Sequence, residues 1–144
     1  MTTVDALQTA LAAEHATLYL YGVLGAQTSR SATPALYADV SEAYAAHRGR
    51  RDELSRFVLD ERGTPVASEP TYEIPGPLGS AERVTAATLV LERSCAETYA
   101  WLVANTVGPH RRWGVQALTS TAVRVLTFRG SPEIFPGSGE YADR

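Results

Sequence analysis

The sequence predicts an all-α chain folded as one four-helix bundle, and three observations carry that expectation. Apolar residues recur at alternating three- and four-residue spacings in four separate segments. Proline is confined to the starts of those segments and the stretches between and after them. The chain has 144 residues, 44% of them hydrophobic and 20% charged, which suits a single globular domain with a substantial core.

The first segment, residues 2–29, lacks proline and places Val4, Leu7, Leu11, Leu18, Tyr21 and Gly25 on one helical face. Thr3 is the expected N-cap. Thr33-Pro34 opens the second helix, because threonine caps and proline at the first helical position loses no hydrogen bond. Leu36, Val40, Ala43, His47, Leu54 and Phe57 or Val58 continue its stripe, and Gly63 is expected at the C′ position. Residues 64–79 contain four prolines, Pro65, Pro70, Pro75 and Pro77, and form a connector. Ser80 caps the third helix, whose stripe reads Thr85, Leu89, Glu92, Ala96, Tyr99 and Val103. The fourth starts near Pro109 or His110, carries Leu118, Thr121, Val125 and Phe128, and stops at Gly130. The tail, residues 131–144, is expected to lie over the surface or on a neighbour.

Connector length fixes the topology. Helices 1 and 2, and helices 3 and 4, are joined by short turns and should pair as two antiparallel hairpins. The 64–79 connector can reach ~50 Å at ~3.3 Å per residue. That exceeds the ~42 Å length of a helix of about 28 residues. A long crossover between two hairpins is the ferritin-like plan.

Bulk properties narrow the function. A net charge of −3 argues against a general nucleic-acid binder. The run His47-Arg48-Gly49-Arg50-Arg51 is followed at once by Asp52 and Glu53, as on a salt-bridged helix surface. With one cysteine, Cys95, no intramolecular disulfide can form. No signal-peptide pattern or membrane-length apolar run is present, so a cytoplasmic protein with no membrane association is expected.

Three polar residues occupy core positions: Glu14, His47 and Glu92. Measured from the first turn at Arg30, Glu14 lies 16 residues back and His47 17 forward, which makes them level within ~2 Å at 1.5 Å per residue. Glu92 reaches the same level if helices 2 and 3 run parallel. Buried charges need partners, so the cluster is either a metal site or an internally satisfied polar network.

The chain resembles the ferritin-like superfamily. It is similar to a group of actinobacterial ferritin-like proteins through Ala12-Ala13-Glu14-His15-Ala16, Tyr19-Leu20-Tyr21-Gly22, His47-Arg48-Gly49-Arg50-Arg51-Asp52 and Phe128-Arg129-Gly130. The resemblance spans nearly all of residues 1–144 and implies a bundle built to hold di-iron or di-manganese with six ligands. Glu14, His47 and Glu92 match three of them. Tyr44 stands where one glutamate is expected, and residues 109–129 contain no Asp or Glu.

Three functions therefore stay open. The first is a non-catalytic structural or interaction protein in which Arg50, Arg51, Arg124 and Tyr44 help satisfy Glu14, His47 and Glu92. The second is an iron, manganese or zinc protein, open to redox activity, in which Glu14, His47 and Glu92 are ligands and water fills the missing positions. The third is a small-molecule binder using the core space left by absent metals. A homodimer is the expected assembly. His15 is expected at the surface or in a dimer contact, His110 solvated, Cys95 an inert buried residue, and Trp101 and Trp113 beside the turn between helices 3 and 4.

Overall fold

The computed structural model describes residues 1–138, and all the regular structure among them is helical. Four helices follow in order: α1 (Thr3–Gly25), α2 (Pro34–Asp60), α3 (Ala81–Asn105) and α4 (Gly108–Arg129). They form an all-α four-helix bundle of two hairpins, α1 with α2 and α3 with α4, with α1 also packed against α3.

Local signals set the helix ends. Thr2, not Thr3, caps α1: its hydroxyl accepts from the Asp5 N–H while its own N–H donates to Asp5 Oδ2 at 2.7 Å. A threonine one residue earlier wins because Asp5 then stands three positions on, where a reciprocal capping box closes. Ser80 caps α3 as expected. Thr33 precedes Pro34 but its side chain makes no cap hydrogen bond to α2; its hydroxyl instead takes the Ser29 N–H in the preceding turn.

At the end of α2 the left-handed residue is Arg62, with φ 64°, so Gly63 sits one place beyond the expected C′ position. The Gly63 N–H bonds to the Val58 carbonyl and the Arg62 N–H to that of Leu59, a Schellman closure. Glycine is needed here for space: a Cβ on Gly63 would lie 2.9 Å from Val58 Cγ1 and 3.0 Å from Val4 Cγ1.

The connector crosses the bundle along α1. Gln8 exchanges hydrogen bonds with the Thr64 carbonyl and the Val66 N–H, and the His15 ring bonds the Val66 carbonyl at 3.0 Å. Tyr72 packs on Tyr19, and Leu78 reaches the far end of the core. The chain thus enters α3 beside the C-terminal end of α1, and α3 runs parallel to α2. At its other end the described part of the tail returns onto α3: Glu133 pairs with Arg93 at 2.8 Å and Gly137 lies against Ala96. The rest of the expected tail, 139–144, is outside the described residues.

The core is divided. One apolar cluster holds Leu20, Tyr21, Leu24, Val40, Ala43, Val84, Ala87 and Leu91. Another, at the opposite end, holds Ala6, Leu7, Ala10, Leu11, Leu54, Val58 and Leu102, with Trp101 and Trp113 packed against it. On α3 the buried face is shifted from the expected stripe: Val84, Leu91 and Leu102 are buried, whereas Thr85, Leu89 and Val103 are half-buried. Contact with both α1 and α4 gives α3 a wide buried face, and a one-stripe reading catches only its edge.

Candidate functional site

Between the two apolar clusters lies a layer of buried polar side chains. Glu14 comes from α1, His47 and Arg50 from α2, Glu92 and Tyr99 from α3, and Thr121 from α4. Level positions on antiparallel and parallel neighbours bring them together, as the residue counts from each turn require.

His47 is the centre. Its Nδ1 lies 2.8 Å from Glu14 Oε2 and its Nε2 3.0 Å from Glu92 Oε1, with none of the residue exposed. A neutral imidazole has one N–H donor, whereas two carboxylate acceptors call for two. The geometry therefore selects the imidazolium. Burial works against that charge, but the Glu14 and Glu92 carboxylates outweigh it and hold the His47 pKa above the ordinary imidazole value.

Glu92 is shared among several partners. The Tyr21 hydroxyl donates to its Oε1, and the Tyr21 ring stacks on His47 with centroids 5.4 Å apart. Arg124 faces its Oε2 at 3.6 Å, beyond hydrogen-bond contact. Burial pushes the Glu92 carboxyl up, but the His47 hydrogen bond and charge, together with Arg124 and Tyr21, bring it below the usual carboxylate range. Burial, then the Glu92 charge, push the Tyr21 phenol far above its normal range, so Tyr21 remains a hydrogen-bond donor.

One helical turn along α2, Arg50 is satisfied without a carboxylate. It donates to the Tyr99 hydroxyl, the Thr121 hydroxyl, the Ala117 carbonyl and the Ser120 hydroxyl. Its guanidinium also stands 4.9 Å from the Tyr99 ring centroid, in cation–π contact. Cys95 hydrogen-bonds Thr17 at 3.2 Å, and burial followed by the two nearby carboxylates pushes its thiol well up, as suits an inert residue.

Arg50 and Arg124 are thus placed in the layer, but Arg51 and Tyr44 are not. Arg51 turns outward to Asp52 at 2.6 Å, and Tyr44 is 40% exposed. The reason is angular: on α2, positions 44 and 51 lie on the side of His47 away from Arg50, roughly 100–120° round the helix from Arg50, at the outer edge of the buried stripe. His110 is not solvated as expected. It pairs with Glu61 at 3.0 Å and packs edge-on against Phe57. Trp113 donates from its indole N–H to Glu53. Tyr21 and Tyr99 are the members of the layer that a stripe reading takes for plain core aromatics. Their signal was available, since Tyr21 lies seven residues from Glu14 and Tyr99 seven from Glu92 on the same faces.

The donor set can be tested against the metal centre that the superfamily resemblance implies. Glu14 and Glu92 address opposite nitrogens of one imidazole, so the three groups do not converge on a common point. The positive charge opposite the carboxylates comes from His47 and Arg124, with Arg50 one turn away. Among the described residues no group of three or more His, Cys, Asp or Glu is arranged to hold a metal ion. These residues do not fit a dinuclear centre.

Fold and site together define a class: a small four-helix bundle with a histidine-centred ion-pair layer across its middle. A family model described as a domain of unknown function, DUF4439, matches residues 6–140, and the chain belongs to that family. A solved structure, a conserved hypothetical protein from Mycobacterium tuberculosis, is 27% identical with a TM-score of 0.81, covering 92% of this chain and 93% of that one. No curated protein matches the chain. No helix among the described residues is long and apolar enough to cross a membrane.

Proposed function

We propose that the chain is a non-catalytic scaffold or interaction protein on a ferritin-like plan, in which an ion-pair layer stands where a metal centre would be. The observation that carries this reading is His47: both its nitrogens are engaged by carboxylates and the ring is wholly buried. An imidazolium between two carboxylates supplies the charge neutralisation a cation would give, and neither nitrogen faces open space. A group so placed holds the bundle's register and is not presented to a substrate.

The test is elemental analysis of protein purified without a metal-affinity tag, wild type beside Glu14→Ala/His47→Ala. Wild type should contain no stoichiometric metal, even after incubation with ferrous iron, and chelator should leave its unfolding midpoint unchanged. Near one iron, manganese or zinc per chain, lost in the double variant, would overturn the scaffold reading and make Glu14, His47 and Glu92 ligands.

A further inference from the structure

α4 carries two apolar faces. One enters the core with Ala117, Thr121 and Val125. The other looks outward, where Val115, Val123 and Leu126 are 47%, 59% and 38% exposed. Thr119 stands among them and returns its hydroxyl to the Val115 carbonyl, which leaves its methyl to the apolar stripe. Beside this face α2 and α4 do not pack backbone to backbone. A cavity of about 560 Å³ opens between them, with Asp39 and Glu42 on its α2 side. Its charged lining, those two acids with Arg124, is net negative, and Arg124 is turned to Glu92.

The outward stripe is symmetric in its spacing. Arg112, Val115, Thr119, Val123 and Leu126 follow at three, four, four and three residues, the same read in either direction. A two-fold axis at Thr119 would therefore lay a second α4 antiparallel on the first, with Val115 opposite Val123 of the second copy. Arg112 would come level with Leu126 of that copy.

The charges agree with that register. Trp113 bonds Glu53 and His110 pairs with Glu61, so α2 and α4 of one chain run antiparallel. Counting from the Trp113–Glu53 contact, Glu42 stands level with Arg124 and Asp39 with Thr127. The level of Leu126 falls between them, within ~3 Å of either at 1.5 Å per residue. Arg112 is exposed and, like Asp39 and Glu42, forms no ion pair among the described residues. Arg129, the other cation at that end, is turned to the Pro132 carbonyl. A second copy thus offers an unpaired cation where this one offers two unpaired acids. Size also fits. α4 has 22 residues and is ~33 Å long, and with α2 beside it the face is about 20 Å wide, of the order of the ~800 Å² per copy in a standard interface.

We propose that the outward face of α4 and the adjoining α2–α4 groove pack against a second copy of this chain, forming an isologous dimer about a two-fold axis at Thr119. Val115 and Val123 pair across the axis, and Arg112 of each copy lies between Asp39 and Glu42 of the other. The ion-pair layer is no part of this contact. Oligomeric state therefore tests the dimer, and metal content tests the scaffold reading.

The experiment is sedimentation equilibrium of the full chain over a wide concentration range. Wild type should form a reversible dimer. Thr119→Arg sets a charge against its own copy at the axis and should weaken the dimer about tenfold or more. Thr119 is exposed, so helical circular dichroism should not change. Arg112→Glu should weaken the dimer severalfold, and Arg112→Glu/Glu42→Arg should recover most of that loss. Oxidative crosslinking reads the register, with Cys95 buried and silent. Thr119→Cys should join to itself, whereas Val115→Cys should join to Val123→Cys and not to itself. A monomer at every concentration, with the groove left to some other occupant, would overturn the proposal. So would a dimer indifferent to Thr119→Arg, a charge exchange without recovery, or crosslinks in another register.

Discussion

The two ends of the bundle and its middle layer are buried to a similar depth, yet different physics holds them. At the ends, Leu7, Leu11, Leu54 and Val58 are removed from water by non-directional contact, and any side chain of the right volume gains most of that free energy. In the middle, Glu14, His47 and Glu92 are fixed by donors and acceptors whose positions cannot be exchanged. The ends set how stable the bundle is, and the middle sets which residues must stand opposite one another. A bundle packed only with leucine could slip along its helices. An imidazolium between two carboxylates cannot slip without leaving a buried charge unpaired.

The sharpest attempt to break that contrast is a volume-for-volume exchange at each place. His47→Leu leaves two carboxylates facing each other without their cation, and we expect a loss of about 3–5 kcal/mol despite the retained bulk. Urea unfolding reads it, and a loss below about 1 kcal/mol would abolish the distinction. At the ends, Leu54→Ala should cost about 2–5 kcal/mol through its cavity. Leu54→Met, by contrast, should cost less than about 1.5 kcal/mol. Volume rescues Leu54 and not His47.

The pH dependence sharpens the same comparison. His47 has a raised pKa, so its contribution is complete below the ordinary imidazole value of 6.5 and is lost as pH rises through the folded-state value. Glu92 has a lowered pKa, so its contribution is complete above the ordinary carboxylate value of 4.5 and is lost as pH falls through its folded value. Stability should therefore peak between about 4.5 and 6.5 and fall on either side. Unfolding midpoints taken from about pH 5.5 to 8 should decline in wild type and stay flat in His47→Gln, below the range where an ordinary thiol titrates.

The smallest expected effect is at the edge of one end. Thr2→Ala removes the hydroxyl half of the α1 capping box and should cost about 1 kcal/mol. Thr2 is remote from the layer, so its effect should add to that of His47→Leu, and a double-variant cycle checks this. Strong coupling would mean that the ends and the middle do not act independently.

Much of the fold was legible because it rests on local rules. Ser80 before α3, Gly130 after α4 and the proline-rich connector each act within a few residues of themselves. The meeting of Glu14 with His47 was also legible, since counting residues from a shared turn needs only the helical rise. The sides of α2 were harder. Arg50 and Arg51 are adjacent and chemically alike, and a difference of one helical step sends one inward to Tyr99 and Thr121 and the other outward to Asp52. Periodicity alone blurs that step when a helix faces more than one neighbour, as the shifted stripe of α3 also shows.

By itself the sequence determined four helices, their ends to within a residue or two, the crossover and the level at which polar groups meet, because hydrophobic spacing, capping and helical rise act along the chain. The tertiary structure decided which nitrogen faces which carboxylate, that Tyr21 and Tyr99 join the layer, and that Arg124 borders an open groove. Those outcomes depend on helix rotation and the separation of α2 from α4, which arise only when four helices pack at once.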